Sequence, residues 1–265
     1  MPNKIDSTLG KLKGICRPAI VPFVTVGFPN YEVSIEIAVA ILKSGADMLE
    51  LGVPFSDPLA EGPTIQKTSH VSLKNGINVK SCIDAVKKIR STGIEKPILL
   101  MGYYNPFLRY GLEKFVKEAS QVGVDGVIVP DLPNEESGNL RKLCESYGIY
   151  FIPLLAPTST AERISHTCKR ARGFIYCVQT TGVTGAREEL SQDAASLVRA
   201  IRNHTSLPVL VGFGISNSEH VLNVGKFADG VIVGSALLDA IDRAPKDERL
   251  EVAVEFVREL VPTVT

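Results

Sequence analysis

Two kinds of acid stand close together early in the chain. Glu50 lies inside the apolar run Met48 to Val53, and Asp57 and Glu61 follow on a loop stiffened by Pro54, Pro58, Gly62 and Pro63. A carboxylate in an apolar strand costs free energy unless it is paired, hydrogen-bonded or protonated. A strand acid with loop acids just beyond it could supply two proton-transfer groups to one ligand. The alternative is structural: Glu50 bonded to backbone and Asp57 serving as a loop cap, since structural networks also perturb acids.

The elements that must position these acids alternate. Apolar runs at Ala19–Val26, Asp47–Val53, Pro97–Tyr103, Gly126–Pro130, Tyr150–Leu155, Phe174–Val178, Pro208–Phe213 and Gly230–Gly234 have the length and Val/Ile/Leu/Phe content of strands buried on both faces. Helical periodicity fills the gaps at Tyr31–Ser44, Val79–Ser91, Leu112–Val122, Glu135–Tyr147, Ala161–Arg170, Gln192–Asn203, Ser218–Val224 and Glu248–Leu260. Ser-Gly-Ala-Asp at 44–47, Val-Gly-Val-Asp at 122–125 and Lys-Phe-Ala-Asp-Gly at 226–230 read as recurrences of one helix-to-strand turn. This alternation predicts a (β/α)₈ TIM barrel, α/β in class, as a single domain over 1–265. A short helix before Ala19 is expected to cover the barrel floor. The rival is a doubly wound open sheet, disfavoured because no Gly-x-Gly-x-x-Gly follows the first strand.

Composition narrows the function. The 265 residues carry 29 basic and 29 acidic side chains and no dense basic run, which argues against nucleic acid or an anionic membrane as partner. No apolar run is long enough to span a bilayer, and Met1 to Lys13 has no signal-peptide core. Five scattered cysteines without a Cys-x-x-Cys pair predict neither zinc site nor disulfide framework, and suit a cytoplasmic setting. The four histidines lack ligand spacing, so no metal is expected.

In such barrels chemistry sits where strands end and loops begin. Phe23, Glu50 and Tyr176 lie in strands one, two and six, while Tyr103 and Phe213 mark the ends of strands three and seven; Tyr103, Tyr176 and Phe213 could each be plain core. Three glycine-bearing turns follow the last strands: Gly182-Val183-Thr184-Gly185, Gly212-Phe213-Gly214-Ile215-Ser216 and Gly234-Ser235-Ala236. Free N–H groups at the helical turn opened by Gly234-Ser235 favour a phosphate, and the loops after strands seven and eight are the usual cradle in this architecture. Glycines that merely permit tight turns are the alternative. The loop Thr180–Leu190 could act as a lid.

The motifs together resemble the tryptophan synthase α subunit family along essentially the whole chain. The most specific are Glu50-Leu51-Gly52-Val53-Pro54-Phe55-Ser56-Asp57-Pro58-Leu59-Ala60 with Gly62-Pro63-Thr64-Ile65-Gln66, and Gly182-Val183-Thr184-Gly185. Pro22 to Pro29, Met101 to Pro106 and Pro130 to Pro133 also match.

The resemblance implies a lyase that splits indole-3-glycerol phosphate into indole and glyceraldehyde 3-phosphate by a retro-aldol reaction, without a cofactor in this chain. It implies Glu50 and Glu61 as the catalytic acids, and Phe23, Tyr176, Phe213 and Thr184 around the indole. Gly185, Gly214, Gly234 and Ser235 would hold the phosphate, while Asp57 and Pro58 would face a partner. That partner is the β subunit of an αββα assembly, which carries pyridoxal phosphate and receives the indole. Two positions depart from the family: Glu61 stands where aspartate is usual, one methylene longer, and Gln179-Thr180 stands where several relatives carry Ser-Arg. A free-standing lyase without a β partner, or a binding protein that has lost catalysis, are the other readings of the same residues.

Overall fold

The computed structural model describes residues 3–178, 187–212 and 214–261. Nine short parallel strands form one sheet: β1 Ala19–Thr25, β2 Leu49–Gly52, β3 Ile98–Met101, β4 Gly126–Ile128, β5 Tyr150–Phe151, β6 Leu154–Leu155, β7 Ile175–Val178, β8 Val209–Gly212 and β9 Gly230–Val233. Their order is β5-β4-β3-β2-β1-β9-β8-β7-β6. The two outermost strands are neighbours in the chain, with only Ile152 and Pro153 between them. The Ile152 N–H donates to the Val127 carbonyl at 2.9 Å, and the Tyr176 N–H to the Pro153 carbonyl at 3.1 Å. They are therefore halves of one strand interrupted where proline removes a donor, and the sheet closes as an eight-stranded TIM barrel.

Period-two alternation sorts the strand residues. Ala19, Val21, Met48, Leu99, Ile128, Phe174, Tyr176, Leu210 and Ile232 fill the barrel interior. The intervening residues pack outward against the helices in two larger clusters. The helix Lys4–Gly14 inserts Ile5, Leu9 and Leu12 into the interior cluster from below. It is capped by the Asn3 side chain, which also donates to the Asp125 carbonyl at 2.9 Å. The expected floor helix is thus present.

The aspartate that ends each recurring turn has a definite physical job. The Asp47 carboxylate accepts the Ile20 N–H at 2.9 Å and pairs with Arg17. Asp125 accepts Ile98 N–H at 2.9 Å and Arg90 at 2.6 Å. Asp229 accepts Val209 N–H at 2.7 Å and pairs with Arg202. In each case the aspartate N–H donates back to the carbonyl of that same strand residue, at 2.9 Å. Three closed clasps of this kind join adjacent strands at the floor.

Two helices near the mouth lie beyond what the apolar pattern predicts. One is Pro63–Lys74, with proline in its first turn, and the other is the seven-residue Tyr104–Tyr110. The first buries Thr68, Ser69 and Ser72 against the barrel in place of an apolar stripe, so periodicity does not betray it.

Candidate active site

Glu50 sits in β2 opposite Phe23 of β1 and Leu99 of β3. Alternation with Met48, an interior residue, turns its side chain into the barrel. It is 1% exposed. Both carboxyl oxygens are buried with no hydrogen-bond partner among the described residues. Burial first, and the nearby Glu61 second, push its pKa well above the usual carboxylate range. The shift favours the protonated carboxyl, and no described residue accepts that proton.

Glu61 reaches the same space from the loop after β2. Burial raises its pKa to about 7. Each carboxylate disfavours ionisation of the other, and the charge of Glu61 adds to burial in raising Glu50. Two acids that feel each other's charge suit one as donor and the other as acceptor.

Phe23, Thr25, Gly52, Val53, Phe55, Pro58, Glu61, Ile65, Met101 and Tyr103 are among the walls of this crevice, which encloses about 310 Å³ with its open mouth. Two bare positions make room for aromatic rings. A Cβ on Gly52 would lie 2.4 Å from the Phe23 ring, and one on Gly212 would lie 2.6 Å from the Tyr176 ring. Both distances are below any real contact, so only glycine lets these rings lie flat along the neighbouring strands. Tyr176 is 7% exposed. Burial, then the charges of Glu50 and Glu61, push its hydroxyl far up, which places all three groups in one electrostatic neighbourhood.

Gly234 and Ser235 open the helix Ser235–Arg243 directly beside this wall. Gly234 is the N-cap and no side chain caps the first turn, so its amides are free for an anion. A Cβ on Gly234 would lie 3.5 Å from the Phe23 side chain. The free helix end, the ring and the acids therefore follow one another around the mouth. Gly214 is exposed just beyond β8, with φ of +42°. Thr184, Gly185 and Phe213, with the whole Gly182 to Gly185 turn and the Gln179-Thr180 pair, lie outside the described residues.

Asp57 is exposed at the outer edge of the loop, where its carboxylate accepts the Ser56 hydroxyl, and Pro58 is half-buried against the crevice. Leu59 beside them is 86% exposed. Sequence reasoning missed how this loop is held. The Ser69 hydroxyl donates to the Phe55 carbonyl at 2.9 Å and accepts the Phe55 N–H at 2.8 Å. Thr68 and Thr25 share a hydrogen bond of 2.8 Å beneath it. Both clamps come from the helix whose inward face is polar. The hydroxyl-bearing segment Thr68-Ser69 in the sequence was the available sign.

Among the described residues no group of three His, Cys, Asp or Glu side chains could hold a metal ion, and no helix is long and apolar enough to cross a membrane.

Residues 9–261 match the family model described as tryptophan synthase alpha chain. The tryptophan synthase alpha chain of Chloroflexus aggregans is 46% identical over 259 residues, spanning 98% of this chain and 97% of its own. That of Roseiflexus sp. strain RS-1 is 46% identical over 258 residues, spanning 97% and 99%. Among solved structures, tryptophan synthase subunit alpha from Legionella pneumophila superposes with a TM-score of 0.90 at 37% identity, covering 98% of this chain and 97% of that one. A chain of Mycobacterium tuberculosis tryptophan synthase gives 0.90 at 34% identity, with 98% and 97% covered. A barrel that carries unpaired acids at its mouth, matched over nearly its full length at these identities, belongs to the tryptophan synthase α chain family.

Proposed function

We propose that this chain cleaves indole-3-glycerol phosphate to indole and glyceraldehyde 3-phosphate, with Glu50 and Glu61 as its proton-transfer pair. The phosphate sits on the amides of Gly185, Gly214, Gly234 and Ser235, with the helix end beside Phe23 as its anchor. The indole ring lies between Phe23 and Phe213 with Tyr176 nearby, and Thr184 orders the covering loop. Neutral Glu50 gives its proton to the ring carbon that bears the side chain, while ionised Glu61 takes the ring N–H proton; the product is an indolenine. The carbon–carbon bond then breaks and its electron pair returns to the ring. The Glu50 carboxylate takes the proton of the glycerol hydroxyl as that carbon becomes an aldehyde, and Glu61 returns its proton to nitrogen. Both acids end as they began.

The released indole passes to a β chain. We place that partner against Asp57 and Pro58, in an αββα assembly whose pyridoxal phosphate belongs to the β chain. The exposed thiol of Cys16, unpaired with any other cysteine, fits a reducing cytoplasm.

The observation that carries this reading is the buried carboxyl of Glu50, which has no hydrogen-bond partner among the described residues. A purely structural acid would be bonded to backbone or to a cation. Indole release by the Glu50→Gln variant is expected to fall by about 10²–10⁴-fold, the usual worth of a general acid–base group, with the fold retained. Turnover near that of the parent chain overturns the assignment.

A further inference from the structure

The aromatic at the end of β3 has a place in this chemistry that its apolar surroundings conceal. Tyr103 is 6% exposed. Its ring stacks on Phe55 with centroids 5.1 Å apart and planes 27° from parallel. Its hydroxyl oxygen accepts the N–H of Ala60 at 2.8 Å. Phe55 begins the loop and Ala60 immediately precedes Glu61, so one side chain grips both ends of the segment that carries the second acid. Ser69 fixes only the Phe55 end.

The polarity of that hydrogen bond matters. The oxygen is used as an acceptor, so the phenolic proton is still available to donate. Two carboxylates act on the tyrosine. Asp131, which accepts the Tyr104 N–H at 2.8 Å, has the smaller influence. Glu61 has the larger, second only to burial in pushing the phenol up. Tyr103 and Glu61 also face the same crevice.

We infer that Tyr103 is a positioning residue for Glu61: its ring and oxygen set the loop, and its hydroxyl proton is donated to the Glu61 carboxylate when that group ionises. The inference rests on the reading of Glu61 as the acceptor of the indole N–H proton. Glu61 is faced by Glu50 from β2, by Tyr176 from β7 and by Tyr103 from the end of β3. Burial is the one cause of its own shift, so no described cation supplies the stabilisation that a tyrosine donor would. The ring alone keeps the Phe55 stack, whereas the hydroxyl alone holds the loop backbone and carries the proton proposed for the carboxylate. The two functions can therefore be separated by removing one oxygen.

The test is Tyr103→Phe in the full chain, alone and mixed with a tryptophan synthase β chain, with indole release followed from pH 5 to 9. The expected result is a fall in kcat of about tenfold, the scale of one lost hydrogen bond to a charged group, with KM changed less. The rising limb of the pH profile should move to higher pH, because the ionised form of Glu61 loses a donor. A merely structural tyrosine would lower thermal stability and leave that limb in place. Glu61→Gln separates the two levels. If Glu61→Gln is inactive while Tyr103→Phe keeps the parental kcat and limb, the tyrosine's role is overturned and the Glu61 reading stands. If Glu61→Gln turns over like the parent chain, the Glu61 reading falls and this inference falls with it.

Discussion

The floor and the mouth of the barrel bury acids in opposite ways. At the floor, Asp47, Asp125 and Asp229 each accept a strand N–H and pair with an arginine. At the mouth, Glu50 is more deeply buried than any of them and has no hydrogen-bond partner among the described residues. Asp47 and Asp125 are buried as well, so burial alone does not mark function. The difference lies in whether the protein itself satisfies the group. A clasped aspartate spends its hydrogen-bonding capacity on the fold, while an orphaned glutamate keeps it for a ligand that supplies the missing contacts.

The sharpest way to break this contrast is to neutralise one acid from each end. Glu50→Gln should abolish indole release by the margin given above and leave thermal stability equal or higher at neutral pH. The sign follows from its raised pKa: above the unfolded value near 4.5, folding must protonate the glutamate, and glutamine removes that demand. Asp125→Asn should do the reverse. It leaves Arg90 without its carboxylate in a site where both side chains are largely buried, and breaking such a pair costs about 3–5 kcal/mol. Calorimetry beside an activity assay reads both; a stable Asp125→Asn protein or a destabilised Glu50→Gln protein would erase the distinction.

Next in size is the pH behaviour of Glu61. With its pKa raised to about 7, activity that needs the ionised form should climb through that value. Stability should run the other way. Below about 4.5 both states are protonated; between 4.5 and 7 the unfolded chain ionises first, so the folded chain loses stability relative to Glu61→Gln, and above 7 the difference levels off. Parallel melting curves of the two proteins from pH 4 to 8 check this, and a constant difference across the range would contradict it.

The smallest expected effect concerns the support beneath the mouth. Ser69→Ala removes both hydrogen bonds to the Phe55 backbone. The cost is about 1–2 kcal/mol in stability. A rise of a few-fold in KM should accompany it as the crevice wall loosens, measured by steady-state indole release. A loss as large as that of Glu50→Gln would mean that the serine touches the chemistry directly.

The sequence shows the barrel because its strands are buried on both faces and read as unbroken apolar runs. The same property hides the gap in Tyr150–Leu155, where an apolar proline interrupts the ladder without interrupting the pattern. The helix Pro63–Lys74 escapes for the inverse reason: its buried face is made of hydroxyls that bond to backbone. At the site, Glu50 is legible because an acid in an apolar run is conspicuous. The Tyr103 contact is not, because its partner is a backbone N–H 43 positions away that no local spacing encodes. The floor clasps lie between these cases. Their aspartates recur visibly, but the arginines that close them come from different offsets, at 17, 90 and 202.

The interruption between Ile152 and Pro153 also says where the chain tolerates a change of route. The outer packing divides at the same place: one cluster gathers strand side chains from β1 through β5, and the other gathers those from β6 through β9 with Ile20 of β1. New termini or an inserted segment at that joint would sever little of either cluster. Nature or an engineer could rewire the barrel there while the glutamate on the opposite wall keeps its shelter.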